Sequence, residues 1–499
     1  MSNIQKANCR HIEQKYRKKI LLICDDIRFH SGVATIAREI VTHTAHYFNW
    51  IQLAGAKEHP EKGKVLDLSD SINQTQNLKD SYVRLYPITG YGNPTILREV
   101  MKIEKPDAIM LITDPRYFEW VFNMEQEIRK QIPITYLNIW DSLPAPQYNQ
   151  SFYESCDLLM GISKQTKNIN KMVLENGGIN TVDLDEINPG AIDKNTKLLK
   201  YIPHGLNSNI YKPLPEDDKM MREMKKQMFG EKDPKFVVFF NSRNIRRKQI
   251  PDTILAFNRF LKELPYKERK ECYLVLHTEI VMNSGTDLLE VRDYIMGEEY
   301  KDQVLFSTSK LSQPQLNCLY NIADVQILLS SNEGWGLSLT EAMLAGTPII
   351  ANTTGGIQDQ MGFLDKDKKW FTPTPDLPSN HRGTLKEHGK WAFPVYPSNR
   401  SLQGSPTTPY IFDDRCKWED AAKQLNNTYK LGRKKLKEKG LNGRKWATSN
   451  DVGFTSSHQS QRIIKSFNTL FRLWQPREKY EVVNTNEHKS KFIPHTLNY

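Results

Sequence analysis

Ser331-Asn-Glu-Gly-Trp-Gly-Leu-Ser-Leu-Thr-Glu-Ala-Met-Leu-Ala-Gly-Thr-Pro-Ile-Ile-Ala-Asn-Thr-Thr-Gly-Gly356 reads as a glycine-rich loop, a short helix, a buried strand and a second glycine-rich loop. Ser338 can cap the helix, Gly346 ends it, and Pro348 leads into the apolar strand Ile349-Ile350-Ala351. Gly334, Gly336 and Leu337 on one loop, with Gly355 and Gly356 on the other, let backbone N–H groups come close to an anionic ligand. The positive end of the helix dipole favours its charge. Glu333 and Glu341, eight positions apart, place carboxylates on the same wall. Sugar hydroxyls donate hydrogen bonds to such groups. A second reading of these letters stays open: Ser338-Leu-Thr-Glu341 also spells a capping box, in which Glu341 returns a hydrogen bond to the helix start.

Outward from this stretch the chain alternates short apolar strands with amphipathic helices, the pattern of parallel sheets covered on both faces. On the N-terminal side the strands are Lys19–Cys24, Trp50–Ala54, Ala108–Ile112, Ile134–Asn138 and Leu158–Gly161. A helix is expected from about Val33 to His43. A second series begins at Phe236–Phe240 and continues through Tyr273–His277, Val304–Phe306 and Val325–Leu329. The fold class is α/β, with two Rossmann-like domains over 1–205 and 206–457. Residues 362–415, rich in Pro, Gly, Lys and Trp, read as an extended excursion. A long helix runs from Trp418 to about Leu436, and the amphipathic segment His458–Trp474 closes the molecule, with 458–499 forming a terminal helix and a polar tail from 480.

At 499 residues, 38% apolar and 25% charged, the composition is that of a soluble globular protein with room for two cores. No apolar run reaches the roughly 18 residues that span a membrane. Six scattered cysteines show neither a paired framework nor metal-ligand spacing, which points to a reducing cytoplasm and to no metal site. A net charge of +11 attracts polyanions without choosing among nucleotides, nucleic acid and anionic lipid.

These features together resemble the Glu-x7-Glu signature of retaining glycosyltransferases with the GT-B fold, in particular the large GT4-like family. The second matching element is Asn241-Ser-Arg243-Asn-Ile-Arg-Arg-Lys248, which directly follows a strand. The resemblance implies that Arg243 and Lys248 grip the donor diphosphate, with Arg246 and Arg247 thickening the patch. Cations there stabilise charge that grows on the leaving group. It further implies that Glu333 meets the sugar hydroxyls and Glu341 the ribose. Gly32, in the first strand-to-helix turn, would face the phosphates, and Ser309, in the loop Phe306–Ser312, the nucleobase. The family often has Glu where this chain has Asp359. It also pairs a histidine with an aspartate where this chain has Trp140-Asp141, which leaves Asp141 for the acceptor. His204-Gly205 matches a hinge-side segment, and Ser163-Lys-Gln-Thr166 is explained by helix capping. No cofactor is implied beyond a nucleotide-sugar co-substrate, commonly a uridine diphosphate sugar.

For the acceptor, three features favour nucleic acid: the net basicity, the segments Lys15–Lys19 and Lys430–Lys439, and the aromatics Trp370, Phe371, Trp391, Phe393 and Tyr396. The chain is also similar to glycosyltransferases of large tailed phages that modify hydroxymethylcytosine in double-stranded DNA. That likeness would place it in a host cytoplasm. A glycan or lipid-linked acceptor is the competing expectation, because basic patches also serve a membrane surface. A donor-dead nucleotide- or DNA-binding protein is a third.

Overall fold

A computed structural model describes residues 10–187 and 195–477. The expected tail from 480 lies outside the described residues. The first sheet has nine strands: β1 (Lys19–Asp25), β2 (Asn49–Ala56), β3 (Leu66–Asp67), β4 (Val83–Thr89), β5 (Ala108–Ile112), β6 (Ile134–Asn138), β7 (Leu158–Gly161), β8 (Thr181–Asp183) and β9 (Lys197–Tyr201). Their order is β3-β4-β2-β1-β5-β6-β7-β9-β8, parallel except where β3 meets β4. The second sheet is fully parallel, in the order β12-β11-β10-β13-β14-β15. It comprises β10 (Phe236–Asn241), β11 (Cys272–His277), β12 (Val304–Ser307), β13 (Val325–Leu328), β14 (Ile349–Asn352) and β15 (Ala392–Val395).

Burial on both faces explains why these strands read as unbroken apolar runs rather than alternating ones. Ile20, Leu22 and Cys24 of β1 enter one hydrophobic cluster, while Leu21 and Ile23 enter another on the opposite face. The first cluster runs on through Leu206, Phe454 and Phe467 into the strands of the second sheet, so one core joins the two halves. The helix Ser456–Leu473 crosses back to the first sheet's layer. There Ser456 Oγ donates to Glu39 (2.6 Å), Asn468 Nδ2 donates to the Tyr47 hydroxyl (2.7 Å), and Phe467 packs edge-on to Phe48 (5.6 Å).

Several expectations change. The excursion 362–415 contributes β15 as the sixth strand of the second sheet, and then a separate antiparallel hairpin, β16 (Pro397–Ser405) with β17 (Thr408–Cys416). Its aromatics are largely core. Trp391 and Phe371 are buried, and Trp391 and Trp370 pack on Trp446 at 4.6 and 5.2 Å. They are therefore not a platform for unstacked bases. The long helix runs on to Ala447, with a break at Gly432 (φ 75°). The basic segment 15–19 is tied into the fold: Arg17 is buried against Asp80, Lys18 pairs with Asp107, and Lys19 pairs with Glu104. Ser338 is not the helix cap. The helix Leu337–Ala345 starts from Gly336, whose φ of 78° is left-handed and suits glycine.

Candidate functional site

Strand order reverses between β1 and β5 in the middle of the first sheet and between β10 and β13 in the second. Ligands of open α/β sheets bind at the carboxyl ends beside such a switch point. The two loops leaving β10 and β13 carry the residues singled out by motif. The turn Arg246–Lys248 follows β10, and Glu333 follows β13. Lys248 Nζ donates to Glu333 Oε2, joined there by Arg247 Nη1 (3.2 Å) and Ser330 Oγ (3.2 Å). Arg247 also binds the Asn332 carbonyl (2.5 Å), which fixes the loop itself. All three side-chain bonds fall on Oε2, so Oε1 is the oxygen left to meet a hydroxyl.

Burial alone would raise the Glu333 carboxyl, but Lys248 and Arg247 overcome it and hold it at about 2. The carboxylate is therefore ionised at neutral pH. Asp141 goes the other way. Burial raises its carboxyl above the ordinary value and Glu333 adds to the rise, against the pull of Arg247 and the Ser142 hydroxyl. Two neighbouring carboxyls driven apart in this way mark sites that divide electrostatic and proton-handling roles.

Glu341 does not close a capping box. Its Oε1 accepts from the Tyr211 hydroxyl (3.0 Å), and its Oε2 accepts from Tyr320 (2.5 Å) and Asn241 (3.3 Å). These donors come from the linker after β9, the helix Gln313–Ile322 and the end of β10, so the carboxylate knits three elements under the site. Burial raises its carboxyl, and the three hydrogen bonds oppose the rise.

The two glycine loops pack against each other. Gly356 N donates to the Glu333 carbonyl (2.9 Å), and a Cβ on Gly356 would lie 1.9 Å from the Gly334 carbonyl. Gly356→Ala is thus expected to force the loops apart, lowering stability by about 2–3 kcal/mol in the manner of overpacking. Thermal melting together with nucleotide binding would check it, and an unchanged melt and affinity would refute the close packing. Gly355 abuts the Glu333 carbonyl, Gly334 faces the Ile139 carbonyl just beyond β6, and Gly32 lies opposite Leu337. The two halves therefore meet across these loops. Asp359, held at about 6 by burial, accepts from the Lys164 backbone N–H (2.8 Å) and so also bridges the halves.

Other expected residues stand apart. Arg243 is exposed and is not among the cations on Glu333, a place Arg247 takes. Ser309 is exposed on its loop. His204 is buried edge-on to Trp335 (6.2 Å) and burial pulls it down to about 3, so it stays neutral. Gly205 serves close approach rather than a turn, because a Cβ there would lie 2.2 Å from the Thr455 carbonyl. Sequence reasoning missed Tyr211, Tyr320 and Asn241, whose only signal is a hydroxyl or amide among apolar neighbours.

Residues 221–376 match the family described as glycosyl transferases group 1. An uncharacterized glycosyltransferase of Methanocaldococcus jannaschii is 27% identical over 209 residues, 41% of this chain and 47% of that one. A trehalose synthase of Pyrococcus horikoshii is 36% identical over 77 residues, 14% of this chain and 19% of that protein. The chain thus spans less than half the length of these curated relatives. Among solved structures, a sucrose-phosphate synthase from Thermosynechococcus elongatus superposes with a TM-score of 0.61 at 15% identity, covering 91% of this chain and all of that one. The HepE protein of Anabaena, solved with UDP and glucose, gives 0.58 at 15% identity and the same coverage. The fold is GT-B, and its second half carries the stretch that matches group 1 glycosyl transferases.

Proposed function

We propose that this protein moves a sugar from a nucleotide-sugar donor to an acceptor hydroxyl with retention of anomeric configuration. The observation that carries this reading is Glu333: an ionised, buried carboxylate with one oxygen clamped by Lys248 and Arg247 and the other free, on a glycine loop at the switch point of the second sheet. Lys248 and Arg247 would take up the negative charge that grows on the leaving diphosphate. Arg243, exposed on the same loop, would swing onto it. Glu333 Oε1 would accept from a sugar hydroxyl and Glu341 from the ribose. The transition state would have oxocarbenium character. No carboxylate nucleophile is assigned. Asp141, with its raised carboxyl, would contact the acceptor hydroxyl while the leaving phosphate helps to remove its proton. The UDP seen in the Anabaena structure supports a uridine diphosphate donor. Beside the trehalose synthase, an N-acetyl-alpha-D-glucosaminyl L-malate synthase of Bacillus anthracis and an alpha-monoglucosyldiacylglycerol synthase of Acholeplasma laidlawii, each 25% identical, over 139 and 149 residues respectively, support a wide choice of acceptors.

The hydroxymethylcytosine reading keeps the basic charge in its favour and loses the aromatic platform to the core of the second sheet. The glycan or lipid-linked reading keeps the same charge. Among the described residues no helix is long and apolar enough to cross a membrane. The test is a transfer assay with a panel of nucleotide-sugars against monosaccharides, polyols, oligosaccharides, glycolipid vesicles and hydroxymethylcytosine duplex. Products are read by mass spectrometry. A one-sugar mass increment with retained configuration is expected, and no consumption of any donor would overturn the reading.

A further inference from the structure

We propose that the β16–β17 hairpin is the acceptor-side wall of the cleft and that it admits a compact polyhydroxylated acceptor, a single sugar or polyol. This rests on the transferase reading above. The hairpin lies beyond the residues that match the family and belongs to neither parallel sheet.

Its root is built into the loops that carry Glu333 and Gly355. Asp414 N donates to the Ser331 carbonyl (3.1 Å), and Asn352 Nδ2 donates to the Asp414 carbonyl (2.6 Å). The buried Asp414 carboxylate holds Arg400 (2.5 and 3.0 Å) and the Thr354 hydroxyl (2.8 Å). One step along, Asn332 Nδ2 binds both the Phe412 carbonyl (2.6 Å) and Ser142 Oγ (2.9 Å). Phe412 N then donates to the Leu143 carbonyl (2.6 Å). The strand thus runs beside the chain neighbours of both Glu333 and Asp141.

The outer part docks on the first sheet's loops. Gln147 N donates to the Tyr410 hydroxyl (3.1 Å), and the Tyr148 hydroxyl donates to the Tyr410 carbonyl (3.0 Å), with the rings edge to face at 4.8 Å. Arg116 binds Thr407 (3.2 Å) and the Thr408 hydroxyl. One side of the cleft is therefore strapped shut from the reaction centre outward.

The chemistry of this wall suits a sugar. Tyr148 and Tyr410 are half-buried and give the wall an aromatic surface, and Asp141 and Asp413, each with one oxygen on a serine hydroxyl, have a second oxygen for an acceptor hydroxyl. The wall's cations are already paired, Arg116 with Asp114 and Arg400 with Asp414. A phosphodiester backbone would meet carboxylates here. The exposed lysines 430, 434, 435 and 437 sit on the long helix that is anchored by Arg433 to Asp324, ahead of β13, at the sheet end away from the cleft. This lysine run is thus remote from the reacting atoms.

The test compares the full chain with a form in which 402–410 is replaced by a two-residue turn, and with Tyr410→Ala and Arg116→Ala should the shortened form fail to fold. Donor KM, acceptor KM and the ratio of donor hydrolysis to transfer are measured with the donor identified above. The intact protein is expected to use single sugars or polyols and to leave oligosaccharides and hydroxymethylcytosine duplex unmodified. The altered forms should keep donor KM, raise the KM for a compact acceptor about tenfold and shift turnover toward hydrolysis. Efficient transfer by the intact protein to the duplex or the oligosaccharide overturns the proposal. So do altered forms with unchanged acceptor KM and hydrolysis ratio, and in both cases the transferase reading survives. No donor turnover in any form overturns both.

Discussion

Lys248→Ala is expected to lower kcat/KM for transfer by about 10³-fold, the loss that follows removal of a preorganised electrostatic group facing developing charge. Two effects act together. On the transferase reading proposed above, the leaving diphosphate loses a buried cation. Glu333 loses the partner that holds its carboxyl at about 2 and its Oε2 in place. Removing one member of a buried pair also costs about 3–5 kcal/mol of stability, because the other charge is left without its partner. Arg247 and Ser330 still reach Oε2, which sets the cost nearer the lower end. Steady-state kinetics with a melting curve separates the two effects, and Lys248→Arg is the informative companion. Arginine keeps the charge but puts a planar fork where a compact ammonium fits, so it should recover stability more than rate. A Lys248→Ala protein that melts lower and transfers at the native rate would remove Lys248 from the reaction and leave it a structural pair.

How much of this was legible beforehand depends on the kind of signal. β1, β5, β6, β7, β10 and β11 announce themselves because a strand buried on both faces must be apolar throughout. β15 does not, since Ala-Phe-Pro-Val carries a proline, tolerated because this strand lies at the sheet's edge. The hairpin hides for another reason: its residues are mostly polar and half-exposed or exposed, and its place is fixed by bonds to Ser331 and Leu143 that no local pattern records. In the site, Glu333 and Lys248 stand out by spacing and meet in space. Spacing singles out Arg243 for the diphosphate and says nothing of Glu333's partners, whereas the three-residue turn Arg246–Lys248 brings Arg247 onto that carboxylate beside Lys248. The capping-box reading of Glu341 fails because Gly336, two residues earlier than Ser338, already starts the helix.

Glu341→Gln is the second large change expected, and it acts on donor binding rather than on the chemical step. The side chain keeps its shape but exchanges one acceptor oxygen for a donor amide, facing three groups that all donate in the native arrangement. Tyr211 or Tyr320 can turn to accept, so the stability cost stays at about 1–2 kcal/mol. A ribose hydroxyl has no such freedom if it must donate to the same carboxylate. Loss of a charge-assisted bond there should raise donor KM about 10- to 100-fold. Because ribose lies away from the breaking bond, the contact is equally strong in ground and transition states, and kcat at saturating donor should change little. Tyr211→Phe supplies the control, removing one bond to the same carboxylate without touching its charge. It should cost stability of similar size and leave donor KM within about twofold. If Glu341→Gln instead resembles Tyr211→Phe in both readouts, the carboxylate is only the knot that ties the helix Leu337–Ala345 to Tyr211, Tyr320 and Asn241. The ribose would then have to be held elsewhere on the second sheet's carboxyl edge.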